Sequence, residues 1–230
     1  MMPSVEGPNK KGPAYYPAFL ALTGRRCVVI GAGEVAERKV GALVEAGAKV
    51  TVVSPEATPE VERLASAGKV RWERRNHRRG DLEGAWLAIA ATDDAAAQQA
   101  IFAEAEEARV FCNVVDVAER CSFIAPAVVQ EGDLTVAIST GGKSPAVARR
   151  LREDLQQEVL PGYAALLEIA GEVRDEMKRE RLRATPEQWQ GALAGEAMAL
   201  ARRGMRSQAK DALLRALRRE TAARAGIVTT

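Results

Sequence analysis

The chain has 230 residues, 47% hydrophobic and 28% charged, enough for one large or two small domains with a buried core and too apolar to be disordered along most of its length. Thirty-three Lys and Arg against 31 Asp and Glu leave a net charge of +2, too small to imply nucleic-acid binding by bulk electrostatics. Three cysteines without CxxC spacing argue against a disulfide scaffold or structural zinc site and fit a reducing cytoplasm, and no run of about 18 apolar residues is present to cross a membrane.

Residues 1–14 are polar, rich in Gly, Pro and Lys, and lack the apolar stretch of a signal peptide; they read as a flexible tail. Residues 15–115 alternate apolar strands with amphipathic helices. Cys27 to Ile30 is a buried strand, and Val35 to Ala46 carries a helical stripe at Val35, Ala36, Val40, Leu43 and Val44 that Gly47 ends. Lys49 to Val53 is the second strand. Thr58-Pro59 caps and opens a helix to Ala67. Val70 to Glu73 and Trp86 to Ala91 are further strands, Asp94 to Ala108 is an Ala-rich helix, and Val110 to Val115 is the fifth strand. This alternation predicts an α/β fold with a Rossmann-type doubly wound parallel sheet.

Residues 116–145 break the pattern. Phe123 to Ala125, Val128-Val129 and Leu134 to Ser139 are strand-like, with a turn at Glu131-Gly132-Asp133; these strands extend the sheet or pair across a dimer interface. Residues 146–230 predict an all-helical domain with helices over Ala146 to Val159, Gly162 to Arg181, Pro186 to Arg203 and Ser207 to Arg224. Ser144-Pro145 opens the first of these helices, and Thr185-Pro186-Glu187-Gln188 has the form of a capping box.

Gly31-Ala32-Gly33-Glu34-Val35-Ala36 matches G-x-G-x-x-G/A between a strand and a helix. Gly31 permits the tight turn, Gly33 lets a pyrophosphate approach the backbone, and Ala36 allows close helix–strand packing. The alternative is a tight turn with no ligand. Ser54 stands where an NAD enzyme often has the acidic residue that binds the ribose, with Pro55 and Glu56 following. No Arg lies between Ser54 and Glu60, which favours NAD over NADP. Thr92 ends the fourth strand at the ligand edge, and Asp93 or Asp94 caps the next helix. Asn113 and Asp116 end the fifth strand at the same edge, where a carboxylate can take a substrate proton, touch a metal, or cap a turn. Gly141, Gly142, Lys143 and Ser144 form a loop with glycines, a cation and a helix start, and Arg149 and Arg150 lie one turn on; the set reads either as an anion cradle for substrate carboxylates or as a flexible turn before a solvated basic face. Arg71 to Arg79 holds five arginines and His77, the only histidine, and reads as a solvated patch with no metal role.

In order along the chain, Tyr16-Pro17-Ala18-Phe19-Leu20, Val29 to Lys39, Gly47 to Pro55, Trp86 to Asp94, Phe111 to Asp116, Ser122 to Pro126 and Ser139 to Pro145 resemble the bifunctional precorrin-2 dehydrogenase and sirohydrochlorin ferrochelatase family, which also forms the N-terminal module of sirohaem synthase. The resemblance covers Tyr15 to Arg203. It implies an NAD-binding domain, a central dimerisation region and a helical domain in a homodimer. It also implies oxidation of precorrin-2 to sirohydrochlorin with NAD+, then insertion of Fe2+, a substrate, to give sirohaem. Glu34, Val35, Pro55 and Glu56 match positions that contact NAD, and Asp116 matches the catalytic aspartate. Two departures stand out: Thr140 replaces a serine that some relatives phosphorylate, and the methyltransferase module of full sirohaem synthase is absent from these residues, so methylation is expected of another protein. Two other readings compete: a dehydrogenase without chelatase activity, and a non-enzymatic NAD(H)-sensing module that needs only the glycine loop.

Overall fold

A computed structural model of the protein describes residues 15–224; the tail expected over residues 1–14 lies outside them. The chain divides into two compact units that meet in sequence between Ala125 and Pro126.

The first unit is built on five parallel strands, β1 (Arg26–Ile30), β2 (Lys49–Val53), β3 (Val70–Glu73), β4 (Leu87–Ala90) and β5 (Phe111–Val114), in the order β3-β2-β1-β4-β5. Ile30 pairs in register with Val53 on one side and with Ala90 on the other. The direction of winding therefore reverses between β1 and β4, and the crevice of an open α/β sheet opens at such a point.

Both faces of the sheet are covered, which is why its strands are apolar runs and do not alternate. Helices α1 (Glu34–Glu45) and α2 (Pro59–Ser66) bury Ala36, Val40, Leu43 and Val61 against Cys27, Val29, Val50, Val52 and Ile89. Helix α3 (Ala95–Ala108) buries Ile101 and Ala105 on the opposite face, with Val28, Ile30, Ala88 and Ala90. Each Val, Leu or Ile side chain among these removed from water contributes about 1.5–3 kcal/mol. The helix ends follow the sequence signals. Thr58 Oγ1 accepts from Val61 N at the start of α2, Asp94 accepts from Ala96 N and Ala97 N at the start of α3, and Gly47 takes a positive φ of 73° after α1.

The second unit holds an antiparallel hairpin, β6 (Ala127–Glu131) and β7 (Leu134–Ile138), closed at Gly132-Asp133. The hairpin forms its own two-stranded sheet and does not extend the parallel one. It packs Val129 and Ile138 against Ala148 of α4 (Pro145–Asp154) and against Leu160. Helix α5 (Leu160–Arg179) then packs Leu166, Ile169, Val173 and Met177 against α6 (Pro186–Ala194), α7 (Glu196–Arg202) and α8 (Arg206–Arg224). Thr185 and Gln188 complete the capping box.

Three sequence expectations are corrected. Phe123 to Ala125 is not a strand; this stretch instead follows a loop laid along the open edge of β5. Cys112 N donates to Ser122 Oγ (2.7 Å), Ser122 N donates to Cys112 O (2.8 Å), and Asn113 bridges to Cys121. An edge strand whose backbone groups are taken in this way needs no further partner. Second, the helix expected to stop at Val159 runs on through a wider turn, Leu155–Val159, directly into α5. Pro161 has no N–H to give, and a widened turn relieves the clash its ring would make. Third, the helix expected over Pro186 to Arg203 breaks at Gly195, whose φ of −92° and ψ of −139° are not helical.

Candidate functional site

Two cavities, of about 400 and 370 Å³, open along the carboxyl-terminal edge of the parallel sheet. Thr92 lines both. The first is walled by Gly31, Ser54, Pro55, Asn76 and His77. The second is walled by Gly33, Glu34, Val35, Thr92 and Asp116. Nearly all the residues expected to hold a dinucleotide are thus brought together. Glu56 is the exception: it is exposed and lines neither cavity.

The glycine loop is shaped by the strands around it. Gly31 has a φ of 100°, and its N–H donates to Val53 O at 2.9 Å. A Cβ added to Gly31 would stand 2.0 Å from Ala91 O, so the end of β4 admits no side chain there. Gly33 precedes α1 with no side-chain cap, and a Cβ added to it would meet nothing within 4 Å. An uncapped helix start beside open space, with its N–H groups and positive dipole end, fits a dinucleotide pyrophosphate. Ala36 is fully buried under the turn.

Ser54 is held by its backbone. Its N–H donates to Glu73 O, and its carbonyl accepts from Trp72 Nε1 at 2.9 Å. Thr92 is fixed by Gln98, whose Nε2 donates to Thr92 O at 2.8 Å. Asp116 occupies a tight turn closed by Val117 N to Val114 O, with a φ of 61°. Aspartate tolerates this left-handed region better than most residues. Its side chain is exposed at the second cavity. Asn113 is elsewhere employed: its Nδ2 donates to Phe123 O at 3.0 Å and contacts Cys121 Sγ.

The segment read from sequence as a solvated patch keeps Arg71, Arg74, Arg78 and Arg79 exposed, but its Asn76 and His77 line the first cavity. Arg75 forks onto Asp81 (2.7 and 2.8 Å), and Arg78 N donates to the same carboxylate. Burial pushes the Asp81 carboxyl up, but the Arg75 guanidinium and the Arg78 N–H outweigh it and hold the group below its ordinary value. Glu104 of α3 reaches into this loop. Its carboxylate accepts from Gly80 N (3.0 Å) and Leu82 N (2.9 Å), and it pairs with His77 Nε2 at 3.2 Å. Glu104 is the one charged residue in the buried core of the described chain. No local spacing announces this pair, because its members lie 27 residues apart.

In the second unit, Gly141 and Gly142 adopt positive φ (59° and 77°) between β7 and α4. Thr140 Oγ1 accepts from Ser144 N, and Ser144 Oγ accepts from Val147 N, so both hydroxyls serve the turn. Lys143 is exposed. Arg149 and Arg150 are exposed as well, but each is paired one turn on, with Glu153 (3.0 Å) and Asp154 (2.8 Å). Among the described residues no group of three or more His, Cys, Asp or Glu is placed to hold a metal ion, and no helix is long and apolar enough to cross a membrane.

Residues 18–127 match a family model described as NAD(P)-binding, and residues 131–158 match the sirohaem biosynthesis protein central domain. The chain is 42% identical over 164 residues to siroheme synthase 3 of Aeromonas hydrophila, covering 71% of this chain and 35% of the relative. It is 37% identical over 202 residues to siroheme synthase 1 of Serratia proteamaculans, covering 86% and 42%. It spans less than half the length of these curated relatives. The fold matches that of a solved structure, SirC, a precorrin-2 dehydrogenase, with a TM-score of 0.66, 24% identity, and 86% of this chain and 100% of that chain covered. An NAD(P)-binding match over residues 18–127 and a sirohaem biosynthesis central match over residues 131–158 thus follow one another on this α/β chain.

Proposed function

We propose that this protein oxidises precorrin-2 to sirohydrochlorin with NAD+ and then inserts Fe2+, as a second substrate, to give sirohaem. One observation carries the reading: the carboxylate of Asp116 lines the same cavity as the uncapped helix start at Gly33, Glu34 and Val35. A glycine loop alone suffices to bind or sense a dinucleotide. A carboxylate at the same opening is what an oxidation that also releases a proton requires. The relatives named siroheme synthase and the neighbour named precorrin-2 dehydrogenase support the same substrate class.

Bound at this crevice, NAD+ supplies the acceptor for the hydride. Gly33, Glu34 and Val35 hold its pyrophosphate at the start of α1, while Gly31, Ser54, Pro55 and Thr92 shape the rest of its bed. Asp116 takes the proton that leaves as the macrocycle gains a double bond, so one hydride and one proton depart together. In iron insertion two pyrrolic protons leave as the metal enters, and Asp116 accepts them in turn. Gly141, Gly142, Lys143 and Ser144 receive substrate carboxylates, with Lys143 as the exposed cation of that loop. Val147 and Leu151, one turn apart on α4 and 57% and 44% exposed, offer an apolar strip to a second copy of the chain. A homodimer in the cytoplasm fits this strip and the three unpaired cysteines.

Anaerobic incubation with precorrin-2 and NAD+, followed by Fe2+, tests the reading. NADH formation and then an iron-dependent sirohaem spectrum are expected. NADH with iron insertion no faster than in an enzyme-free control leaves a dehydrogenase alone. NAD+ binding with neither product leaves a sensor.

A further inference from the structure

We propose that His77, oriented by Glu104, selects a dinucleotide whose adenosine ribose carries a free 2′-hydroxyl over one that carries a 2′-phosphate. The proposal rests on the cofactor site described above and assigns its specificity.

Dinucleotide enzymes often make this choice with an acidic side chain at the end of the second strand. Here that place is held by Ser54, which cannot repel a phosphate. His77 lines the same cavity as Ser54 and Pro55. Its side chain and that of Glu104 are each only 9% exposed. Glu104 already accepts from two backbone N–H groups through one oxygen, and its other oxygen faces His77 Nε2 at 3.2 Å. A neutral imidazole beside it donates from Nε2, which leaves Nδ1 as an acceptor.

Nδ1 has no protein partner among the described residues. No buried polar side-chain atom among the described residues lacks a partner, so Nδ1 is not fully buried, and His77 lines the cavity. An acceptor in that position takes a hydrogen bond from a ribose hydroxyl. A phosphate brings no proton to give and places its charge against a lone pair. Three of the neighbouring arginines are engaged elsewhere: Arg74 lies over the Trp72 ring, Arg75 is forked onto Asp81, and Arg79 is paired with Glu107, while Arg78 is exposed.

Glu104→Gln inverts the arrangement. The Gln carbonyl keeps accepting from Gly80 N and Leu82 N, while its amide donates to Nε2 and moves the ring proton to Nδ1. The atom facing the ligand then becomes a donor. Binding of NAD+, NADP+ and nicotinamide mononucleotide, measured by calorimetry at pH 8, reads this directly. Wild type is expected to prefer NAD+. His77→Ala weakens NAD+ by about 2–13-fold, the worth of one hydrogen bond, and leaves binding of the mononucleotide unchanged. Glu104→Gln narrows or reverses the preference for NAD+ over NADP+. Melting temperatures establish that each variant is folded, and Glu104→Gln carries the test if His77→Ala is not. Wild type binding NADP+ as tightly as NAD+, or both variants keeping the wild-type preference, overturns the proposal. Selective NAD+ binding without oxidation of precorrin-2 would end the proposed activity and leave this assignment standing.

Discussion

Gly31 passes beneath the carbonyl of Ala91 so closely that a Cβ on Gly31 would stand 2.0 Å from the oxygen. The contact joins the first βα turn to the end of β4, where the winding of the sheet reverses. Gly33, two residues on, has nothing within 4 Å of the corresponding position. One glycine of the fingerprint is therefore required by the protein itself, and the other keeps space for a ligand.

The two glycines should fail differently. Gly31→Ala adds the clash to an unfavourable positive φ, which by itself costs about 1–2 kcal/mol. The expected loss in Tm is at least about 2–8 °C at 2–4 °C per kcal/mol for a domain of this size. Gly33→Ala, at a φ of −77°, should melt like wild type but bind NAD+ at least about tenfold more weakly, since it fills the pyrophosphate's approach. Thermal melts alongside nucleotide titrations separate the two, and equal Tm losses would contradict the distinction.

Asp116→Asn keeps a side chain that tolerates the left-handed turn but removes the base. Its kcat for precorrin-2 oxidation should fall about 10²–10⁴-fold with NAD+ affinity unchanged. Iron insertion should fall with it. A variant that lost chelation yet kept full oxidation would refute a shared proton acceptor.

The Arg75–Asp81 pair gives stability a defined pH dependence. The Asp81 carboxyl is held below its ordinary value in the fold, so its contribution is fully present above the unfolded value, about 3.9. It is lost as pH falls through the lower folded value. Denaturant unfolding should show wild type more stable than Asp81→Asn by a constant margin above about pH 5, with the margin shrinking below about pH 4. A margin that grew on acidification would have the wrong sign.

Burial, with smaller contributions from Cys121 and Glu106, pushes the Cys112 thiol up to about 12. Alkylation at pH 8 followed by peptide mass mapping should leave Cys112 unmodified in the native protein and modify it on unfolding. Cys121 is only half-buried and should react first, though slowly, because burial raises its thiol too. Native labelling of Cys112 as fast as Cys121 would contradict the packing of β5.

Where structure is dictated by short spacings, the residues alone determined it. The apolar run Cys27 to Ile30, the G-x-G turn and the stripe of α1 announce a strand, a phosphate-binding turn and a helix, because each rests on contacts within about four residues. The caps at Thr58, Asp94 and Ser144 are equally local. The ligand edge followed from strand alternation, which placed Ser54, Thr92 and Asp116 together. Tertiary structure decided what depends on distant partners. The loop along β5 is stitched by Ser122 to Cys112 and not by a strand, because an edge needs its backbone groups satisfied and any neighbour can do it. The arginine-rich segment reads as solvated, and most of its arginines are exposed. In the fold, Asp81 holds Arg75 and Glu104 holds His77, since the buried backbone N–H of Leu82 needs an acceptor and a carboxylate from α3 supplies one, taking the Gly80 N–H as well. That requirement places His77 at the cavity, where composition and spacing gave no reason to look.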